Sequence, residues 1–218
     1  MKRILLTVLL LAGMTLGATA QKTVTKKAPT KKPATKTAVE KTYILTDKGV
    51  DVLVFDQKLQ LQPPAGSVYD RAVKTSVNDY NVVFYDLKKN GKKIGQASVS
   101  EGKVAGLYID AKNVQLDNGI KVGDRLSDVL EKPGVTAKMW YNFMDGFCEI
   151  TISYNGITIH ETGSSTGVLS AVGEKKMASV EKKAESWDFD QPQPEANLTK
   201  EDFMEGLTVG GFGMGIQY

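Results

Sequence analysis

Through the middle of the chain, apolar and polar residues alternate in short runs, and turn dipeptides separate the runs. Asn90-Gly91, Glu101-Gly102, Asp145-Gly146 and Asn155-Gly156 each fall between stretches rich in β-branched and aromatic residues. Asn-Gly and Asp-Gly favour two-residue hairpins because both central residues must take positive φ. The pattern predicts one meander over Tyr80–Lys88, Lys92–Ser100 and Lys103–Asp110. A second is predicted over Ala137–Met144, Phe147–Tyr154 and Ile157–Glu161. Between them Leu126, Val129 and Leu130 follow helical spacing, Asp124 reads as the N-cap, and Pro133-Gly134 stops the helix. Another short helix is expected around Ser67–Ser76.

Beyond Glu161 the pattern loosens. Gly163–Gly167 reads as a loop. Val168–Val172, Lys176–Val180 and Glu185–Phe189 are expected as strands, followed by a turn at Gln191–Pro194. Thr199–Glu205 reads as a short helix capped by Thr199, with acids in its first turn where the helix dipole favours them. Leu207–Tyr218, rich in glycine, is expected as a terminal strand. The fold class that follows is α+β: a predominantly antiparallel sheet of hairpins and meanders with a few short helices.

The N-terminus changes the picture of where this chain works. Lys2 and Arg3 precede an apolar run from Ile4 to Leu16, and Ala18-Thr19-Ala20 is a small-x-small cleavage site. Residues 1–20 therefore read as a signal peptide, and the run is too short to span a bilayer comfortably. The expected localisation is exported, periplasmic or extracellular after cleavage near Ala20. Residues 21–42 form a Lys/Thr/Pro-rich linker that buries too little apolar surface to order. The whole chain carries +3, the signal +2 and the linker +6, which leaves −5 for Tyr43–Tyr218, read as a single domain. The basic character belongs to the tail, so a nucleic-acid partner is not expected. The tail suits at most a weak electrostatic contact with an anionic envelope.

One run of elements carries a resemblance. Asn81-Val82-Val83-Phe84-Tyr85-Asp86-Leu87, Ile94–Val99 and Val104-Ala105-Gly106-Leu107-Tyr108-Ile109 lead into Asp117-Asn118-Gly119-Ile120-Lys121-Val122-Gly123-Asp124 and Leu126-Ser127-Asp128-Val129-Leu130. This order resembles the YfeY-type family of bacterial envelope lipoproteins, a domain of unknown function, mainly over residues 81–130. The resemblance implies a fold and an envelope setting, and no catalytic residue. Two features depart from the family. No cysteine stands at the cleavage point for lipidation, so a lipoprotein is not expected, and a long C-terminal extension follows the shared region.

The chemistry available to the chain is narrow. Cys148 is the only cysteine, which rules out an intrachain disulfide, and alternation places it with Ile150 and Ile152 as a buried thiol. His160 is the only histidine, so a paired-histidine metal site is excluded; it is expected to face outward. No Gly-x-Ser-x-Gly elbow occurs. The glycines of Gly210–Gly215 lack the following helix a phosphate loop needs, and a close backbone contact or a flexible end explains them better. Asp188, Asp190, Glu201 and Asp202 are the acids a carboxylate hydrolase could use.

The strongest binding signal is aromatic: Trp140, Tyr141 and Phe143, near Phe147 and Tyr154. Aromatics dominate interface energetics. Alternation puts Trp140 with Asn142 and Met144, and Tyr141 with Phe143, the latter pair toward the core. The expected function is an exported, non-catalytic binding or interaction domain without cofactor or metal, acting on an envelope protein or polymer. The alternative is a carboxylate-dependent hydrolase of a cell-wall or polysaccharide substrate. A third reading, self-assembly through the terminal strand, needs an exposed strand edge.

Overall fold

The computed structural model describes residues 41–163, 167–188 and 190–215. The expected signal peptide and residues 21–40 of the expected linker lie outside these, as do the centre of the Gly163–Gly167 loop, Phe189 and the last three residues of the expected terminal strand.

The first meander forms as β5 (Val83–Lys89), β6 (Lys92–Ser100) and β7 (Lys103–Ile109). The second forms as β9 (Val135–Asn142), β10 (Phe147–Tyr154) and β11 (Ile157–Glu161). Asn90-Gly91, Glu101-Gly102 and Asn155-Gly156 all have positive φ at both positions, the geometry a tight hairpin between right-twisted strands demands. At Asp145-Gly146 only the glycine does. There β9 stops at Asn142, two residues short of the expected end. The Asn142 Oδ1 accepts from the backbone N–H of Met144 and Asp145 at 3.0 and 3.3 Å. This local side-chain turn diverts the backbone from the ladder and lifts Phe143 and Met144 out of the sheet.

The terminal strand β13 (Val209–Gly215) joins the two meanders. Phe212 stands opposite Ile159 of β11 on one side and Ile109 of β7 on the other. The result is a nine-stranded antiparallel sheet in the order β12-β9-β10-β11-β13-β7-β6-β5-β4. Its edges are β12 (Glu195–Asn197) and β4 (Arg71–Val77). The terminal strand is central, so both its edges are paired and the self-assembly reading loses its basis. A four-stranded sheet, β3-β2-β1-β8, is built from β1 (Tyr43–Thr46), β2 (Gly49–Val50), β3 (Leu53–Val54) and β8 (Val114–Leu116). Leu45, Leu53, Leu116 and Ile120 join Leu87, Ile109, Met139, Ile152 and Phe212 in the core. The fold is α+β and mostly antiparallel.

Three local expectations are corrected. Ser67–Ser76 holds most of strand β4 where a helix was expected, because the β-branched Val73 and Val77 pair along β5, with Thr75 at the bulge between Lys74 and Ser76. The three strands expected between Val168 and Phe189 are replaced by one helix, α2 (Ala171–Ala184). The Ser170 hydroxyl caps it by accepting from the N–H of Val172 and Gly173. Ala, Glu, Lys and Met fill its turns with strong helix formers, and Gly173, Met177 and Val180 recur on its inner face. The helix after Gly123 is shorter than expected, α1 (Leu126–Leu130), and Asp124 does not cap it. Asp124 instead accepts from the Lys121 N–H at 3.1 Å. Backbone from the approach to β13 ties this segment down: Leu126 N–H donates to Leu207 O and Val209 N–H to Asp124 O, both at 2.9 Å.

The glycines of β13 are there for space. Tyr108 of β7 lies across the strand, so a Cβ at Gly211 would meet the Tyr108 ring and hydroxyl at 2.7–2.8 Å. His160 stands opposite Gly211 and packs edge-on to Tyr108, centroids 5.3 Å apart. Replacing Gly211 with Ala should lower stability by about 1–3 kcal/mol through this overlap. In a Tyr108→Ala background the same change should cost little. Urea unfolding of the four proteins in that cycle measures the coupling, and equal losses in both backgrounds would contradict it.

Candidate functional site

The structure separates the three aromatic candidates. Trp140 points to the face of β9 and β10 that carries Glu149 opposite it, and Glu195 of β12 flanks it on the other side. Tyr141 points to the opposite face, opposite Cys148 and packed against the core. Phe143 is not its core partner. Standing in the turn outside the ladder, it is 40% exposed.

Phe143 instead closes a ring stack that pattern reading missed. It stacks on Trp187 with centroids 4.2 Å apart and planes 24° from parallel, and meets Tyr141 edge-on at 4.9 Å. Trp187 follows α2 and was expected on a strand. Its indole Nε1–H donates to the carbonyls of Gln191 and Pro192 at 3.1 and 3.0 Å, which fixes the ring plane. The 191–194 segment is bound in turn to β9: Tyr141 N–H donates to Pro194 O, and Gln193 Nε2 donates to Tyr141 O at 2.8 Å. On the other side, Asn142 Nδ2 donates to Asp145 Oδ2 at 2.7 Å and to Glu149 Oε1. The tip also displays Met144 at 96% and Phe147 at 52% exposure. It is an exposed apolar surface on a backbone held by hydrogen bonds.

The acidic candidates do not converge. Asp202 is buried in the 3-10 turn Lys200–Asp202. Its Oδ2 accepts from Lys176 Nζ at 2.6 Å, from Thr199 N–H at 2.8 Å and from the Thr199 hydroxyl at 3.0 Å. Burial alone would raise its pKa; the Lys176 ammonium and the Thr199 donors outweigh that and hold the carboxyl below its ordinary value. The helix expected over Thr199–Glu205 is only this 3-10 turn, and Asp202 is the acceptor that ties Thr199 to it. Asp188, Asp190 and Glu201 are exposed. Glu201 lies in an open groove of about 830 Å³ with Arg125, Lys200 and Glu205. Its pKa is lowered, first by a hydrogen bond from Thr199.

Cys148 is half-buried with Ile150 against the core, as alternation predicted. Burial and then the nearby Glu181 raise the pKa of its thiol, so thiolate chemistry is disfavoured. Among the described residues, no group of three or more His, Cys, Asp or Glu is placed to hold a metal ion.

No model of a known protein family matches the chain, and no curated protein matches it. Among solved structures, it is similar to the uncharacterized protein yfeY from Escherichia coli. That likeness has 15% identity and a TM-score of 0.45, covering 79% of this chain and 99% of that one. That protein is of the family that the strand-and-turn order resembles.

The buried carboxylate makes a pH prediction. Asp202 has a folded pKa below its unfolded value, near 4 for a free aspartate. Its contribution is therefore present above about pH 4 and lost as pH falls through the folded pKa. Lys176→Ala should destabilise the protein by about 1–3 kcal/mol at neutral pH, because the buried charge loses a charged donor. The difference between wild type and variant should shrink toward pH 2. A pH series of thermal melts tests this, and a gap unchanged across the series would count against it.

Proposed function

We propose that this protein is an exported, non-catalytic binding domain of the bacterial cell envelope, and that the aromatic hairpin tip is its binding surface. One observation carries the reading: Phe143 is stacked in place while still substantially exposed. A ring ordered before binding loses little entropy on contact, which raises the affinity obtained from a small apolar area. Phe143 and Trp187 carry that surface with Tyr141 behind them, and Trp140 lies on the other face of the hairpin. Export rests on the sequence signal at residues 1–20.

The hydrolase alternative draws less support. A carboxylate general acid working near neutral pH needs a raised pKa. Asp202 and Glu201 are both shifted downward, and Asp202 has its charge committed to Lys176. That ion pair serves packing between α2 and the 3-10 turn.

The test is capture from envelope extract with the tagged chain beginning at Gln21. Wild type should retain a specific partner. Phe143→Ser should weaken retention by about tenfold or more, the scale of an interface hot spot, with the melting temperature nearly unchanged. Equal retention by wild type and the variant would move the binding surface elsewhere.

A further inference from the structure

The charge around the hairpin tip narrows what it can bind. The two segments that build it, Trp140–Glu149 and Glu185–Glu195, carry Asp145, Glu149, Glu185, Asp188, Asp190 and Glu195, and neither contains a lysine or arginine. Of these, Glu195 is neutralised by a neighbouring lysine. Lys138 is ion-paired to Glu195 at 3.3 Å, while Lys182 and Lys183 belong to the last turn of α2, where they favour its dipole. The tip therefore joins exposed aromatic and thioether surface to the carboxylates of Asp145 and Glu149, both held by Asn142.

We propose that this tip is a docking surface for a lysine-rich, extended polypeptide segment of a partner protein. The inference deepens the binding reading above and rests on it. The lysine side chain fits both halves of the surface. Its aliphatic stem covers apolar area while its ammonium stays at the polar rim, and an ammonium over a ring face gains a cation–π contact. Phe143 and Phe147, 40% and 52% exposed, supply the rings, and Asp145 and Glu149 supply carboxylates in the same hairpin. Asn142 holds those two acids at fixed positions, so the rim is ordered before the partner arrives. The same rim works against anionic ligands: phospholipid headgroups and acidic polymers would meet like charge. A neutral glycan would use the rings and ignore the acids.

The probe is a synthetic Lys-Thr repeat peptide, with its Gln-Thr counterpart as control, titrated into the chain beginning at Gln21 and read by the indole resonances of Trp140 and Trp187. The lysine peptide should bind at low salt, and the glutamine peptide should bind at least tenfold more weakly. Phe147→Ser and Asp145→Asn, both at exposed positions whose loss leaves the core untouched, should each reduce affinity about three- to tenfold, in the range of single contact residues. Raising ionic strength to about 0.3 M should weaken binding further by screening the rim. Equal binding of the two peptides overturns the proposal, as does affinity unchanged by both substitutions. Preferential binding of anionic vesicles or of a neutral oligosaccharide also overturns it while leaving the tip a binding surface. Failure of every probe, together with envelope capture indifferent to Phe143→Ser, overturns the binding reading itself.

Discussion

Everything in this fold hangs on the ladder that the last strand makes with both meanders. Neither β5-β6-β7 nor β9-β10-β11 pairs with the other; β13 stands between them and hydrogen-bonds to each. Phe212 is fully buried at that seam, level with Ile159 and Ile109. The joint closes late in the chain and over long sequence separations, so its loop-closure entropy is recovered only when both meanders are already formed. Gly211, which weakens β13 as an isolated strand, is what lets Tyr108 cross it. The same segment also ties down α1 through Leu207 and Val209, so core closure and helix placement are one event.

Between β11 and β13 the chain makes its second commitment, the packing of α2 on the 3-10 turn at Lys200–Asp202. Gly173 permits it, since a Cβ there would meet Asp202 O at 2.2 Å. Backbone proximity then lets the Ser170 N–H donate to Asp202 O at 2.9 Å, and Lys176 reaches the buried carboxylate. A charge this deep is tolerated only when paired; here Oδ2 takes all three donors and Oδ1 is buried without one among the described residues. Its partners come from a helix and a turn that lie far apart in sequence, so the pair also specifies how α2 sits. The hairpin tip depends on this indirectly, because Trp187 is delivered by the end of α2.

The tip is a case in which a small polar side chain sets a large apolar surface. Had β9 run on to Met144, alternation would have buried Phe143 beside Tyr141. The Asn142 side chain takes the N–H groups of Met144 and Asp145 and releases the next residues to the surface. The proposed binding surface follows from that early stop.

The meanders were legible in the sequence because their information is local. Asn-Gly pairs dictate positive φ, and period-two alternation dictates which residues share a face, so Cys148 with Ile150 and Ile152 could be placed without a structure. The aromatic pair Trp140 and Tyr141 was legible as facing opposite ways for the same reason. Between Val168 and Phe189 the sequence was ambiguous, since valines at short intervals suit either period, and burial of Val180 and Gly173 against the neighbouring elements decided for a helix. Tertiary structure alone made the glycine-rich terminus the central strand. It alone brought Lys176 to Asp202, and Trp187 to Phe143 across more than forty residues. Such contacts depend on which distant surfaces bury one another, and no local preference encodes that.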